Sequence, residues 1–324
     1  MNKKKLIIPA LSLSVLLTAT DFINNFNTTN VYSTKLSKEN VSFYTDETIP
    51  ERIEINLRYT FNHTNMVPQG LTISDDYYFI SMYDYYHLNN SMINVYDKDG
   101  NFVNSCELNN KAHVGGISYD NTNELMWVSS TYGNVDIYRS TDIISKEKAK
   151  PKYRDLYLGN SLRSYNRLFK TAISYLAFYN NTLFVGNFTL SEKGTIKQFD
   201  ISFDENRTIH LTEINRFKVP NLVQGISFYE KDDNTYMILS RSCGPKVQSV
   251  LQIYKYDENI KDYTSPLINT KAFTYPPMIE QITSTGDSLY SLYESQAKPY
   301  TNKVDSNEKS IKKSNLPKIL TYMK

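Results

Sequence analysis

A loose internal repeat constrains this chain more than any other feature. Each copy opens on a polar or small pair and a short apolar strand, and a turn follows. A second strand, rich in aromatics, ends on a small or polar residue, and a third ends on an aromatic and a polar one. The opening pairs are Gln69-Gly70, Gly115-Gly116, Ser174-Tyr175, Gln224-Gly225 and Glu280-Gln281, spaced 46 to 59 residues apart. The second strands are Tyr78–Met82, Leu125–Ser129, Leu183–Asn187, Tyr236–Ser240 and Leu289–Tyr293. The third strands run through Ile93–Asp97, Val135–Tyr138, Ile196–Asp200 and Leu251–Lys255, and, after a long insertion, Ile319–Met323. Three or four strands per unit of roughly 40–50 residues is the period of a β-propeller blade.

The expected fold is therefore all-β, a five-bladed propeller. Alternation such as Ile93-Asn94-Val95 is the two-residue period of a strand with one face packed on a neighbouring sheet. Asp97–Asn101 and Tyr229–Asn234 carry residues that tolerate the left-handed backbone of hairpin loops. The fifth unit lacks a fourth strand, while Arg52–Tyr59 alternates as a strand ahead of the first. If that segment supplies the missing strand, the ring closes and no sheet edge is left for another chain. A six-bladed ring is the alternative, with residues 145–170 hiding a degenerate blade. Tyr153–Leu158 reads better as the outer strand of blade two.

The N-terminus reads as a secretory signal over residues 1–19. Lys3, Lys4 and Lys5 precede an apolar stretch, Leu6–Leu17, that is too short to span a bilayer, where about 20 residues are needed. Residues 20–50 are polar and without period, an exposed leader, and 51–324 form one propeller domain. The expected location is extracellular, with no transmembrane span once the signal is removed. A net charge of +2 argues against nucleic acid as a partner, since phosphate binding needs a clustered basic face. The only cysteines, Cys106 and Cys243, fall in different blades, so no bond is expected between them.

Several stretches resemble a poorly characterised group of secreted or membrane-anchored bacterial propeller proteins with QGI, SRSYG, PPMxE and ESxAxxY motifs. They are Gln224-Gly225-Ile226, Ser240–Gly244, Pro276–Glu280 and Glu294–Tyr300, with His113–Gly116 and Val185–Phe188 earlier. The similarity covers roughly residues 65–300 and implies a propeller fold and export, with no established reaction. Cys243 stands where the group has an aromatic residue.

In a propeller, the innermost strand of each blade starts at one rim of the channel and the next strand returns to it. That geometry gathers Gln69, His113, Gln224 and Glu280 with Asp84, Asn187, Arg241 and Glu294 at one mouth. A ring of polar groups with one His, one Arg and several acids suits a small-molecule pocket. The expected function is capture of a small ligand, a glycan or an extracellular protein at that mouth, without covalent chemistry. The alternative is a hydrolase or lyase using His113, Arg241, Glu280 and Glu294. An ion pair between Arg241 and the two glutamates is the blander reading of those three. No cofactor or metal is expected. Calcium is the weakest option, for which Glu280, Asn187 and Asp84 could supply oxygens. No GxSxG, HExxH, phosphate loop or dinucleotide fingerprint is present.

Overall fold

From Tyr78 to Asp84 every residue is buried, so the second strand of the first repeat packs on both faces. The computed structural model describes residues 43–44, 53–55, 65–158, 173–265, 270–300 and 311–321. It shows why both faces are covered. Two short strands, β1 (Phe43–Tyr44) and β2 (Ile53–Ile55), come first. Blade one is β3 (Met66–Ile73), β4 (Tyr77–Asp84), β5 (Met92–Asp97) and β6 (Phe102–Glu107). Blade two is β7 (Ile117–Asp120), β8 (Leu125–Ser129), β9 (Asn134–Arg139) and β10 (Tyr153–Tyr157), with helix α1 (Ser140–Ser145) before its last strand. Blade three is β11 (Tyr175–Tyr179), β12 (Thr182–Gly186), β13 (Gly194–Phe203) and β14 (Ile209–Val219). Blade four is β15 (Val223–Lys231), β16 (Asn234–Arg241), β17 (Ser249–Lys255) and β18 (Thr270–Tyr275), with β1 added in parallel outside β18. Blade five is β19 (Ile279–Thr285), β20 (Ser288–Tyr293) and β21 (Ile311–Asn315), completed by β2. Helix α2 (Leu316–Thr321) follows.

This is a five-bladed β-propeller. Each inner strand touches the next, and β19 returns to β3, so the ring closes. The fourth strand of blade five comes from the N-terminal side, as expected: Ile53 pairs with Lys313 and Ile55 with Ile311, antiparallel. Residues 153–157 are the outer strand of blade two, and the described residues hold no sixth sheet. Of residues 145–170, the alternative place for a degenerate blade, those from 159 on lie outside the described residues, as do the expected signal and nearly all of the leader.

Alternation sends neighbouring side chains into different seams, one between each pair of blades. In β4, Phe79 and Tyr83 join Ile117, Met126 and Val128 of blade two. Tyr78, Ile80 and Met82 join Tyr290 and Leu292 of blade five. Expecting one packed face was therefore an error. In a ring each blade lies between two others, and this makes the apolar runs nearly continuous. Burying each such side chain contributes about 1.5–3 kcal/mol.

Ile319–Met323 is not the third strand of blade five. That strand is Ile311–Asn315, and Leu316, Ile319 and Leu320 lie on the buried face of α2. Their spacing is helical, and the Asn315 side chain accepts the Lys318 N–H at 2.9 Å, a cap that starts the helix. Cys106 and Cys243 form no bond with each other in the structure.

Close approach at the axis requires glycine at two places. A Cβ on Gly225 would stand 2.8 Å from both Gln281 Cα and Ile282 N, and one on Gly116 would stand 2.9 Å from Leu176 N. Backbone cannot yield as a flexible side chain does. Gly225→Ala is expected to lower stability by about 2–3 kcal/mol in urea denaturation. A neutral result would mean that the inner strands can part.

Candidate functional site

The mouth is built by one backbone device used three times. In β3 the pairing with β4 shifts between Pro68 and Gly70, leaving Gln69 as the extra residue. In β15 the shift between Val223 and Gly225 leaves Gln224. In β19 the shift between Ile279 and Ile282 falls on Glu280 and Gln281. A bulge re-aims a side chain out of the regular alternation. Here it frees polar residues from strands whose two faces are both committed to apolar seams.

Gln281 lies across the channel. Its Nε2 donates to the carbonyls of Ile117 (2.6 Å) and Leu176 (3.2 Å), and its Oε1 accepts the Ile117 N–H at 3.1 Å. Blade five is thereby tied to blades two and three at the axis. Farther along the inner strands is a cavity of about 100 Å³, lined by Gln281 with Ser118, Ser227, Ser284 and the aromatic residues Tyr179 and Phe228.

At the mouth, Glu280 and Glu294 stand within hydrogen-bonding reach of each other. Glu280 is 4% exposed, whereas Glu294 is only partly buried. Gln69 Nε2 donates to Glu294 Oε2 at 2.9 Å and to its neighbour's carbonyl, Pro68 O, at 3.1 Å. Burial pushes Glu294 up to about 7, against the hydrogen bonds from Gln69 and Glu280. Burial also raises Glu280, reinforced by the Glu294 charge. No cationic side chain acts on either carboxyl among the described residues. Two carboxyls this close cannot both ionise freely, so the pair retains a proton at neutral pH.

Aromatic rings wall this pair. The Tyr83 ring lies 4.2 Å from His113 and 5.3 Å from His87, centroid to centroid. Tyr83 and Tyr300 hydrogen-bond through their phenols, and Tyr85 meets Tyr300 edge-on at 5.9 Å. Burial first, and the Glu294 charge second, raise both phenols, which stay neutral. His113 keeps more than a third of its surface open to solvent, yet its pKa falls to about 4. The cause is lost hydration of the imidazolium, aided by nearby His87. His113 is therefore neutral and accessible. The side chains of His113, Asn187 and Gln224 hydrogen-bond to no described residue, and the latter two are partly exposed.

The other two candidates are committed elsewhere. Asp84 organises its own loop, accepting the N–H groups of Tyr86 (3.3 Å), Leu88 (3.0 Å) and Asn89 (2.8 Å) and the Asn89 side-chain amide (2.9 Å). Arg241, 1% exposed, donates to Asn221 O (2.8 Å), Asn221 Oδ1 (2.7 Å) and Gln252 Oε1 (3.0 Å). It does not figure among the groups acting on Glu280 or Glu294, so the seam ion pair is replaced by a carboxyl pair. Among the described residues no group of three or more His, Cys, Asp and Glu could hold a metal ion. Sequence reasoning missed the roles of Gln281 and of the Tyr83–Tyr300 contact. The repeated polar residue at each inner-strand start was the available signal for the first.

Fold and site together define a five-bladed propeller with a carboxyl pair and neighbouring tyrosines at one rim. No protein-family model matches the chain, and no curated protein matches it in sequence. Solved structures similar to it include U3-55K, at 8% identity over 80% of this chain and 98% of that one, with a TM-score of 0.42. A nidogen/laminin complex is similar at 11% identity over 71% and 73%, with a TM-score of 0.38. The computationally designed Ika8 protein is similar at 12% identity over 76% and 70%, with a TM-score of 0.33. At these identities no function passes from them to this chain. Among the described residues no helix is long and apolar enough to cross a membrane.

Proposed function

We propose that this protein is an exported binding module that captures a ligand at the propeller mouth without covalent chemistry. The observation that supports this reading best is the Glu280–Glu294 pair, held at one rim of the ring with no cationic side chain acting on it among the described residues. A fold that needed these acids only for structure would pair them with a cation, since uncompensated buried charge is destabilising. His113, Asn187 and Gln224, whose side chains hydrogen-bond to no described residue, supply further contacts. Export rests on the basic and apolar N-terminal segment and on the resemblance to secreted bacterial propellers.

One observation favours a second reading, an acid–base hydrolase at the same mouth. Glu294, raised to about 7, beside Glu280, which burial also raises, is a pair of the kind that such chemistry divides between acid and base. The binding reading is preferred because Arg241, which the hydrolase reading would use, is buried in bonds to Asn221 and Gln252.

The test is a thermal-shift screen of the full chain with sugars, amines and cell-wall fragments, alongside His113→Ala. A ligand present at about 100 times its Kd should stabilise the protein by about 2.7 kcal/mol. The expected result is a shift that His113→Ala reduces, with the ligand recovered chemically unchanged. Recovery of a cleaved ligand would favour the hydrolase.

A further inference from the structure

We propose that the channel holds a second site, beyond Gln281, for a small neutral carboxamide that pairs with the backbone of Ile226 and Phe228. This site is separate from the mouth and does not depend on the function proposed for it.

The protein itself shows what such a backbone edge takes. In blade two, Ile117 turns its N–H and C=O toward the axis, and the Gln281 carboxamide meets both, accepting at 3.1 Å and donating at 2.6 Å. Ile226 holds the same place in blade four, two residues after the first residue of the opening pair. Phe228 O accepts the Ser284 hydroxyl and so faces the axis. Ile226 lies two residues earlier with no register shift between them, so its N–H and C=O face the axis as well. The inner strands belong to different sheets and make no ladder with one another. Ile226 is 1% exposed, yet no described side chain meets its backbone. Buried backbone groups are almost always paired, so this edge calls for a partner from outside the chain.

A missing hydroxyl leaves a second donor open, independently of Ile226. In blades one, two and four, the residue after the counterpart of Ile117 lends its hydroxyl to the next blade. Thr72 Oγ1 accepts the Tyr119 N–H (2.9 Å), Ser118 Oγ that of Phe178 (2.8 Å) and Ser227 Oγ that of Ser284 (2.8 Å). Blade three has Ala177 at that place, so the Phe228 N–H receives no hydroxyl. In blade five the Thr283 hydroxyl bonds to no described residue. Ser118, 8% exposed, accepts from Phe178, and its own proton meets no acceptor among the described residues.

The space at this gap is the cavity of about 100 Å³, which Ile226, Phe228, Ala177 and Ser118 all line. A cavity of about 150 Å³ takes benzene, so one two-thirds that size takes a group of about four heavy atoms, the size of acetamide. Such a group offers an oxygen to the open N–H and O–H donors and an N–H to Ile226 O. Its methyl group suits Ala177 and the stacked Tyr179 and Phe228 rings. No Lys, Arg, His, Asp or Glu lines the cavity, so an ion there would be buried without a counter-charge. Tyr179, Thr283 and Ser284 are partly exposed and place the entrance at the rim opposite the mouth. A free amide and the acetamido end of a sugar share this chemistry.

Nitrogen-15 amide spectra of the full chain, titrated with acetamide, acetone, acetate and N-acetylglucosamine, test this. The expected result is acetamide binding with a Kd on the order of 1 mM, the Ile226 and Phe228 signals moving most. Acetone, which lacks the N–H, and acetate, which is charged, should bind about tenfold more weakly. Ala177→Val, which fills the space, should abolish binding. Ala177→Ser, which supplies the missing hydroxyl, should also abolish it and should raise the melting temperature. Thermal melts show whether both variants are folded. N-acetylglucosamine binding as tightly as acetamide would place the carboxamide on a sugar, and its exclusion would make the ligand a free amide. Acetate binding as tightly as acetamide would overturn the carboxamide assignment. Acetamide binding that folded Ala177→Val leaves intact would overturn the site. If acetamide moves neither the Ile226 nor the Phe228 signal, water alone fills the cavity and the proposal falls, while the mouth reading stands.

Discussion

Gln281→Ala is expected to cost the ring about 3–5 kcal/mol and to lower its melting temperature by roughly 10 °C. The side chain satisfies the N–H and the carbonyl of Ile117 and the carbonyl of Leu176, all at the axis. Removing it leaves three buried backbone groups without that partner, each worth about 1–3 kcal/mol when unsatisfied, partly offset if water enters. Gln281→Leu separates volume from hydrogen bonding. It fills nearly the same space and should be destabilised to a similar degree. Urea denaturation with an unchanged m-value would report the loss as stability alone. If Gln281→Leu matched the wild type, the axis would be held by packing and the hydrogen bonds would be incidental.

Glu294→Gln should do the opposite, and only at higher pH. Its carboxyl is raised to about 7 in the folded chain against an ordinary value of 4.5. The folded state therefore holds the proton more tightly than the unfolded state does. That contribution to stability is complete below about pH 4.5 and is withdrawn as pH rises through 7. Replacing Glu294 by Gln removes the withdrawal. At pH 8 the variant is expected to be more stable than wild type by on the order of 2 kcal/mol, after allowance for partial exposure. At pH 4.5 the difference should vanish. His113 acts in the other direction. It is neutral in the folded chain down to about pH 4, against an ordinary 6.5, so stability falls as pH drops from 6.5 toward 4. Denaturation at pH 4.5, 6, 7 and 8 for wild type, Glu294→Gln and His113→Ala would resolve the two slopes. A pH-independent Glu294→Gln effect would mean that the carboxyl is ordinary.

The ring was legible in the sequence because a closed propeller repeats its constraints. Each inner strand must begin with a small or polar pair at the crowded axis, and each second strand must be apolar. Gly225 and Gly116 mark that crowding, and the return of Ile53–Ile55 to Ile311–Asn315 follows from the missing strand. The last blade was misread because Lys312, Lys313 and Asn315 give its third strand little apolar character, whereas α2 carries an apolar run. Helical spacing in a short run is easily taken for a strand.

The mouth was legible by position and not by chemistry. Gln69, His113, Glu280 and Glu294 were placed together because of where their strands begin and end. That Asp84 is occupied by Asn89, five residues away, depends on loop geometry that no pattern displays. The same holds for Arg241 and Asn221. The Tyr83–Tyr300 contact joins blade one to the segment between β20 and β21 of blade five, which only closure brings together.

The measurement that bears most directly on this account is a carbon-13 titration of the glutamate side-chain carboxyls, assigned with Glu280→Gln and Glu294→Gln. The account expects both mouth carboxyls to titrate above the ordinary carboxylate range, one of them near pH 7, with Glu294→Gln lowering Glu280. Two carboxyls that both titrate at ordinary values near 4.5, each indifferent to loss of the other, would contradict it. The mouth would then hold no coupled pair for a ligand to meet.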